Sequence, residues 1–368
     1  MTVLEKAGAW HLLNRTLDSG WEVFETVGWD ANSEQKTCHY DETGGHFSVA
    51  YKVRRGEKVA FLKAIDLTSA MHSQDVMAEL LSITQAHAFE TRILSVCADA
   101  RMDKVVVAIE SGQIKTGPNI QELAPYLIFE LADGDVRRRI QNISEANVRL
   151  AWWLRAMHHA AVGINQLHSK QIYHQDIKPS NILSFGRSVG FKIADLGRAQ
   201  AAGETSPHSK TMFAGDLSYA PPEILYQHYL PDDLMRQATC DLYMLGSMVF
   251  FFALGAGATQ LLMDKIDHPQ RPQGFHGEWS GTYEQIAPFL QHLFTDLLET
   301  LESNIGQTDI GKRLVTVASE LCTPTIENRG HPSSRVRGGR LYSLERYVSL
   351  FDILAKKAEI AARSPGRK

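Results

Sequence analysis

The chain has little cysteine and no cysteine pattern. Its four cysteines, Cys38, Cys97, Cys240 and Cys322, are scattered through 368 residues and form no C-x-x-C pair. That spacing argues against a zinc site and for a reduced, cytoplasmic chain. There is no excess of either charge: 38 Lys and Arg against 42 Asp and Glu leave a net −4. No global attraction to nucleic acid is expected from it. The first ten residues lack a basic region followed by an apolar run, so no secretion signal is expected. No internal repeat is found. One mostly apolar stretch, residues 242–263, approaches the ~20 residues needed to cross a bilayer. It follows Asp241, carries several small residues and contains Gln260. A helix apolar all round can equally be buried in a large core, and no membrane insertion is expected.

What is present is concentrated in one stretch, Tyr173-His174-Gln175-Asp176-Ile177-Lys178-Pro179-Ser180-Asn181-Ile182-Leu183. It sets an acid, a base and an amide at fixed offsets between two apolar runs. Asp176 is suited to accept a proton from an attacking hydroxyl, and Lys178 to neutralise charge on a phosphoryl group. Asn181 offers an amide oxygen to a hard cation such as Mg²⁺. Pro179 cannot lie inside a helix, so the segment reads as a rigid loop. Downstream, Phe191-Lys192-Ile193-Ala194-Asp195-Leu196-Gly197 reads as a short strand ending in an acidic turn, with Asp195 a second candidate metal ligand.

These segments resemble the protein kinase superfamily. The loop looks like H-R-D-x-K-P-x-N, and Asp195-Leu196-Gly197 looks like D-F-G. A Lys two residues after the acid is typical of serine/threonine kinases. The resemblance runs over residues 21–354, and the 44% hydrophobic content is enough for a core of that size. It implies an α+β, bilobal fold: a small antiparallel-sheet lobe (21–131) and a larger, mainly helical lobe (132–355), with ATP between them. Residues 1–20 read as an N-terminal extension and 356–368 as a C-terminal tail.

In the first lobe, β-branched and aromatic runs at 23–27, 47–53 and 59–65 read as antiparallel strands. The segment Thr43-Gly44-Gly45-His46-Phe47-Ser48-Val49-Ala50 resembles the kinase glycine-rich loop, whose backbone N–H groups approach phosphates closely. Only the middle glycine is kept, as Gly45. Thr43 and Ser48 replace the other two, and Ala50 replaces the usual Val. The resemblance implies nucleotide contacts at Gly44, Gly45, Phe47 and Ala50. Lys63 then corresponds to the lysine that holds the α- and β-phosphates. Its carboxylate partner is sought on a helix at 73–98, which offers Glu79 and Glu90. These are three turns apart and share a face, so periodicity does not choose between them. The Phe89-Glu90-Thr91-Arg92-Ile93-Leu94 match to the family's E-x-x-I-L ending selects Glu90. Strands at 105–109 and 126–131 complete the sheet. By resemblance Phe129 is the gatekeeper, the backbones of Glu130 and Ala132 pair with adenine, and Asp133 or Asp135 reaches the ribose.

In the second lobe, a helix at 146–170 leads into the catalytic loop. His158, His159 and His168 are read as surface or capping residues, and His174 as a packed residue that holds the loop. Residues 195–223 resemble an activation segment ending in Tyr219-Ala220-Pro221-Pro222-Glu223, similar to Y-x-A-P-E. Arg329 is the expected buried partner of Glu223. Two departures stand out. Gln175 replaces the Arg that usually reads an activation-loop phosphate. Asp216 replaces a Thr that usually bridges the catalytic Asp and Lys. Helices are expected at 283–301 and 309–321, with Leu290, Leu293, Leu297 and Leu301 at core spacing, and a closing helix at 341–362.

The expectation is an ATP- and Mg²⁺-dependent kinase that phosphorylates Ser or Thr of a protein substrate. Asp176, Lys178, Lys63 and Glu90 are its catalytic set, and Asn181 and Asp195 its metal ligands. Two rivals carry the same fold. One is a pseudokinase acting as a nucleotide-binding scaffold, favoured by Thr43, Ser48, Gln175 and Asp216. The other is a small-molecule phosphotransferase, disfavoured by Lys178-Pro179 and by the Ala-Pro-Pro-Glu ending.

Overall fold

A computed structural model describes residues 7–29, 48–186, 189–208, 213–334 and 340–363. Runs rich in Val, Ala, Phe and Ile form a five-stranded antiparallel sheet. Its strands are β1 (Glu22–Val27), β2 (Ser48–Arg55), β3 (Lys58–Ile65), β4 (Ala108–Lys115) and β5 (Leu123–Glu130). Their order is β1-β2-β3-β5-β4. One face is apolar at every second residue, as a sheet covered on that side requires. Val49, Tyr51 and Val53 of β2 meet Ala60, Leu62 and Ala64 of β3 in a core with Trp10, Leu12, Leu17, Trp21 and Trp29. Trp29 packs edge-on against both Trp10 and Tyr51, at centroid distances of 5.3 and 5.5 Å.

The fourth strand is displaced from its expected place. It runs over Ala108–Lys115 and not 105–109, because Val105 and Val106 are buried in the approach to it. The edge strand itself, with Glu110, Ser111, Gly112 and Gln113, alternates between exposed and half-buried positions. Edge strands tolerate such polar residues, and these masked its β character. Helix α1 (Val76–Asp99) is capped by Asp75, whose side chain accepts from the Ala78 amide at 3.0 Å. Its buried Ile83, Phe89, Ile93, Leu94 and Cys97 follow helical spacing.

The chain divides into two compact units: Met1–Asp133 with Asp195–Gly197, and Gly134–Ala194 with Arg198–Lys368. The second unit holds two small sheets. Strands β6 (Gly134–Asp135), β8 (Ile182–Phe185) and β9 (Gly190–Ile193) form one, and β7 (Ile172–Tyr173) pairs with β10 (Gln200–Ala201) in the other. Around them lie α2 (Ala146–His168), α3 (Asp233–Leu254), α4 (Ala258–Lys265), α5 (Tyr283–Ile305), α6 (Asp309–Cys322) and α7 (Glu345–Arg363). A five-strand sheet followed by a mainly helical region is the α+β, bilobal kinase architecture anticipated from sequence.

Helix α3 is the centre of this unit: every residue from Ala238 to Phe250 is buried. The apolar stretch 242–263 is not one helix. Gly255 adopts φ 84°, a left-handed conformation that ends α3, and α4 begins three residues later. Among the described residues α3 is the one helix long and apolar enough to cross a membrane, and most of it is buried inside the protein. Leu290, Leu297 and Leu301 of α5 are buried as their spacing predicts, with Leu293 half-buried beside them.

The expected Glu223–Arg329 pair is formed. Two parallel hydrogen bonds of 2.5 and 2.9 Å join groups with almost no exposed surface. Arg329 also donates to the Thr323 carbonyl at 3.0 Å and lies over the Tyr243 ring. Such a bidentate pair ties the end of residues 195–223 to the segment after α6, and removing one partner would cost about 3–5 kcal/mol. The histidines of α2 are not surface residues. His158 Nδ1 lies 3.1 Å from the Val348 carbonyl on α7, and His159 Nδ1 accepts from the Phe191 amide at 3.0 Å. Sequence alone does not say which face of a long helix is covered.

Candidate active site

The first unit gathers three of the expected residues. Lys63 sits on β3, across from Ala50 of β2 and Leu127 of β5. Its Nζ is 2.9 and 3.1 Å from the two oxygens of Glu90 on α1, and 3.6 Å from Asp195 Oδ1. Burial opposes a charge on Lys63, but the Glu90 and Asp195 carboxylates outweigh it and hold the ammonium above its ordinary pKa. The choice that periodicity left open is thus resolved by distance. Glu79 stays half-buried in the first turn of α1, where a carboxylate faces the positive end of the helix. Asp195 has φ 64°, a conformation uncommon outside glycine.

Of the expected nucleotide contacts, Gly44, Gly45 and Phe47 lie outside the described residues, as does Thr43. Ser48 and Ala50 are buried in β2, and the Ala50 carbonyl accepts from Trp29 Nε1 at 3.2 Å. Phe129 is buried in β5, Glu130 is exposed at its end and Ala132 is half-exposed beyond it.

The second unit gathers the rest. The loop after β7 is held by a residue whose role the motif did not disclose, Asp241 of α3. This fully buried carboxylate faces four donors: the amides of His174 (2.9 Å) and Gln175 (2.8 Å), Gln175 Nε2 (3.1 Å) and His168 Nε2 (2.7 Å). His168 is therefore an anchor and not a cap. An Asp opening an apolar helical run, in a chain where buried acids need donors, was the available signal. Gln175 has φ 63°, and its Nε2 also donates to the Gln237 carbonyl at 2.9 Å. Its side chain is thus turned into the core. His174 is fully buried, with Nε2 3.0 Å from the Ala194 carbonyl, the holding role expected of it.

Asp176 is oriented from three sides. Its Oδ1 accepts from the Asp216 amide at 2.9 Å. Its Oδ2 accepts from Asn181 Nδ2 at 3.0 Å and lies 3.3 Å from Lys178 Nζ. Asn181 Nδ2 also donates to the Asp176 carbonyl at 2.8 Å. Lys178 Nζ is 3.4 Å from Asp216 Oδ2, so one ammonium is divided between two carboxylates. Asp216 Oδ1 accepts from the amide and hydroxyl of Ser218 at 3.0 and 2.6 Å. Partial burial disfavours charge on Asp216, but the Ser218 donors and Lys178 more than offset that and hold its carboxyl below the usual range. Gly215 packs so closely on the Gln175 carbonyl that a Cβ there would overlap the oxygen.

The protein kinase domain family model matches residues 43–302, a span that holds both groups of residues. The chain belongs to the protein kinase family. It is 31% identical over 147 residues to an Aurora kinase of Dictyostelium discoideum, covering 38% of this chain and 35% of that protein. It is 33% identical over 133 residues to Aurora kinase A-A of Xenopus laevis, covering 35% and 29%. It is 31% identical over 137 residues to cell division control protein 2 homolog D of Antirrhinum majus, covering 36% and 42%. The match thus spans less than half the length of each relative.

The kinase family typically uses ATP and Mg²⁺, and the oxygen donors present suit such a cation. Asn181 commits its Nδ2 to Asp176, which leaves its amide oxygen as the free face of the group. Asp195 adds a carboxylate in the first unit. Amide and carboxylate oxygens are the ligands that hard divalent cations prefer. Among the described residues no group of three or more His, Cys, Asp and Glu offers a rival metal site.

Proposed function

We propose that this kinase-family chain transfers the γ-phosphoryl group of ATP to a Ser or Thr hydroxyl of a protein substrate. The observation that carries the reading is the orientation of Asp176: three donors aim one buried carboxylate, as a residue that positions and deprotonates a hydroxyl requires. Lys63, fixed by Glu90, holds the nucleotide phosphates together with Gly44, Gly45, Phe47 and Ala50. Glu130 and Ala132 offer backbone groups to adenine beside Phe129. Asn181 and Asp195 hold Mg²⁺, which when bound neutralises phosphate charge. Lys178, beside Asp176, offsets charge on the phosphoryl group. Most of the acceleration then comes from positioning and fixed charge.

Lys178 two residues after Asp176 supports a hydroxyl of Ser or Thr over Tyr. The buried Glu223–Arg329 pair supports a protein substrate over a small molecule, because it anchors the end of a segment suited to peptide docking. Three free, buried cysteines suit a reduced, cytoplasmic setting. One observation favours a second reading, a nucleotide-binding scaffold without transfer: Lys178 is partly withdrawn from Asp176 by Asp216. Labelled phosphate transfer from ATP to a mixed protein substrate separates the two. Incorporation that disappears in Asp176→Ala supports the kinase; nucleotide binding with no incorporation supports the scaffold.

A further inference from the structure

Asp216 changes the charge of the acceptor side of the site. Asp176, Asp216 and Lys178 lie within 3.3–3.4 Å of one another through a single ammonium. Within this cluster, two carboxylates and one ammonium carry one net negative charge. A neutral residue in place of Asp216 would leave none. Among the described residues of the same segment, Arg198 has its guanidinium turned to the Ala214 carbonyl. Asp216 is not withdrawn from solvent: 37% of its side chain is exposed, against 6% for Asp176. Each of its oxygens has one partner group, Lys178 on Oδ2 and Ser218 on Oδ1. A carboxylate has about four lone-pair sites, so it retains capacity for a further cationic donor. Its own amide is bonded to Asp176 Oδ1. That bond sets the exposed charge one residue's reach from the carboxylate assigned to the reacting hydroxyl.

We propose that Asp216 is a specificity residue that selects acceptor hydroxyls flanked by a cationic side chain. The inference rests on the kinase reading above and names its substrate class: a basic Ser- or Thr-containing segment. A Lys or Arg of the substrate meets the exposed Asp216 oxygens as the hydroxyl reaches Asp176. It supplies a balancing positive charge and relieves the competition for Lys178. A neutral or acidic segment leaves the carboxylate unmatched, and an acidic one is repelled by it.

The test uses the full-length protein with Mg²⁺-ATP and a set of peptides carrying a single Ser. The flanking positions are Ala throughout, or Lys at one position at a time. The wild type is expected to favour the best Lys peptide over the all-Ala peptide by about tenfold in kcat/KM, the scale of one charge pair in partly solvated surroundings. Asp216→Asn keeps the shape and an oxygen for Ser218 while removing the charge, and the preference is expected to fall to near unity. Asp216→Thr, compared with it, guards against a fault peculiar to Asn, and a melting curve checks that both fold. A purely structural role for Asp216 would lower all rates together and leave the ratio in place. Transfer with an unchanged Lys-to-Ala ratio in both variants would overturn the proposal while leaving the kinase reading intact. No transfer by the wild type to any peptide or protein would overturn both.

Discussion

Each unit of this chain places one lysine between two carboxylates, and the two arrangements differ in how firmly the cation is held. Lys63 is committed. Glu90 grips it with both oxygens at 2.9 and 3.1 Å, and Asp195 stands off at 3.6 Å. Lys178 is shared almost evenly, 3.3 Å from Asp176 and 3.4 Å from Asp216. The surroundings are alike: each cluster has one buried carboxylate, Glu90 at 7% and Asp176 at 6%, and one part-exposed, Asp195 at 27% and Asp216 at 37%. The difference lies in the distances: a committed pair fixes a position, whereas a cation shared between two carboxylates can be redistributed as charge arrives. The rigidity of the second cluster comes from elsewhere: from Asp241, which faces four donors beneath the loop.

The largest effect should come from the shared cluster. Asp176→Asn is expected to lower phosphoryl transfer by about 10³-fold, within the usual range for a lost general base, with the melting temperature little changed. Near-normal turnover in that variant would remove Asp176 from the chemistry and leave the cluster a structural one.

Stability sets the two lysines apart. Lys63→Met strands a buried carboxylate and is expected to cost about 2 kcal/mol or more. Lys178→Met leaves Asp216 part-exposed and the buried Asp176 still bonded to the Asp216 amide and Asn181 Nδ2, and is expected to cost less, about 1 kcal/mol. Denaturant titrations of both variants measure this. A larger loss for Lys178→Met would reverse the comparison.

Within the first unit, Glu90→Gln should cut activity more than Glu79→Gln, by roughly tenfold or more, since weakening a close charge-assisted bond costs on that scale. Initial rates of the two variants decide it, and equal rates would show that the Lys63–Glu90 pair does not matter to transfer.

The smallest expected effect concerns regulation. Gln175 spends its side chain on Asp241 and Gln237 and carries no charge with which to read a phosphate. Ser206 is buried with its hydroxyl on the Ala199 carbonyl, and Ser218 is bonded to Asp216. Thr205 is a further acceptor, while Ser209 and Thr211 lie outside the described residues. Protein prepared free of phosphate should therefore run within about threefold of phosphorylated protein, a difference of under ~1 kcal/mol. A silent unphosphorylated enzyme restored by one phosphate would mean that another basic residue, such as Arg198 or Lys192, reads it.

Much of this was legible in the sequence, and the reasons are particular. Asp176, Lys178 and Asn181 are close along the chain, so one short motif carries their geometry. Lys63 and Glu90 are 27 residues apart; a strand pattern and a helix pattern supplied the elements, and resemblance supplied the pairing that periodicity left undecided. The position of β4 was misread because its polar edge residues lack the apolar alternation of an inner strand. The apolar stretch 242–263 concealed a break, since hydrophobicity persists across the left-handed Gly255. The histidines of α2 were misassigned because their partners, Val348, Phe191 and Asp241, come from distant parts of the chain. Asp241 was visible at the head of a helix read as buried, but its hold on the loop after β7 was not.

The three described cysteines provide a built-in clock. Cys97 belongs to α1 of the first unit, and Cys240 and Cys322 to α3 and α6 of the second. All three are free and essentially without exposed surface, and burial pushes the Cys97 thiol up to about 12 and the other two well above their ordinary values. Only a thiolate alkylates readily, so each sulfur stays silent until its own surroundings open. With Cys38 first replaced by Ser, the rate at which iodoacetamide marks Cys97 times the opening of the sheet-bearing unit. The rates at Cys240 and Cys322 time the opening of the helical one. Adding nucleotide during that labelling would reveal which unit it steadies, with no fluorophore or engineered probe required.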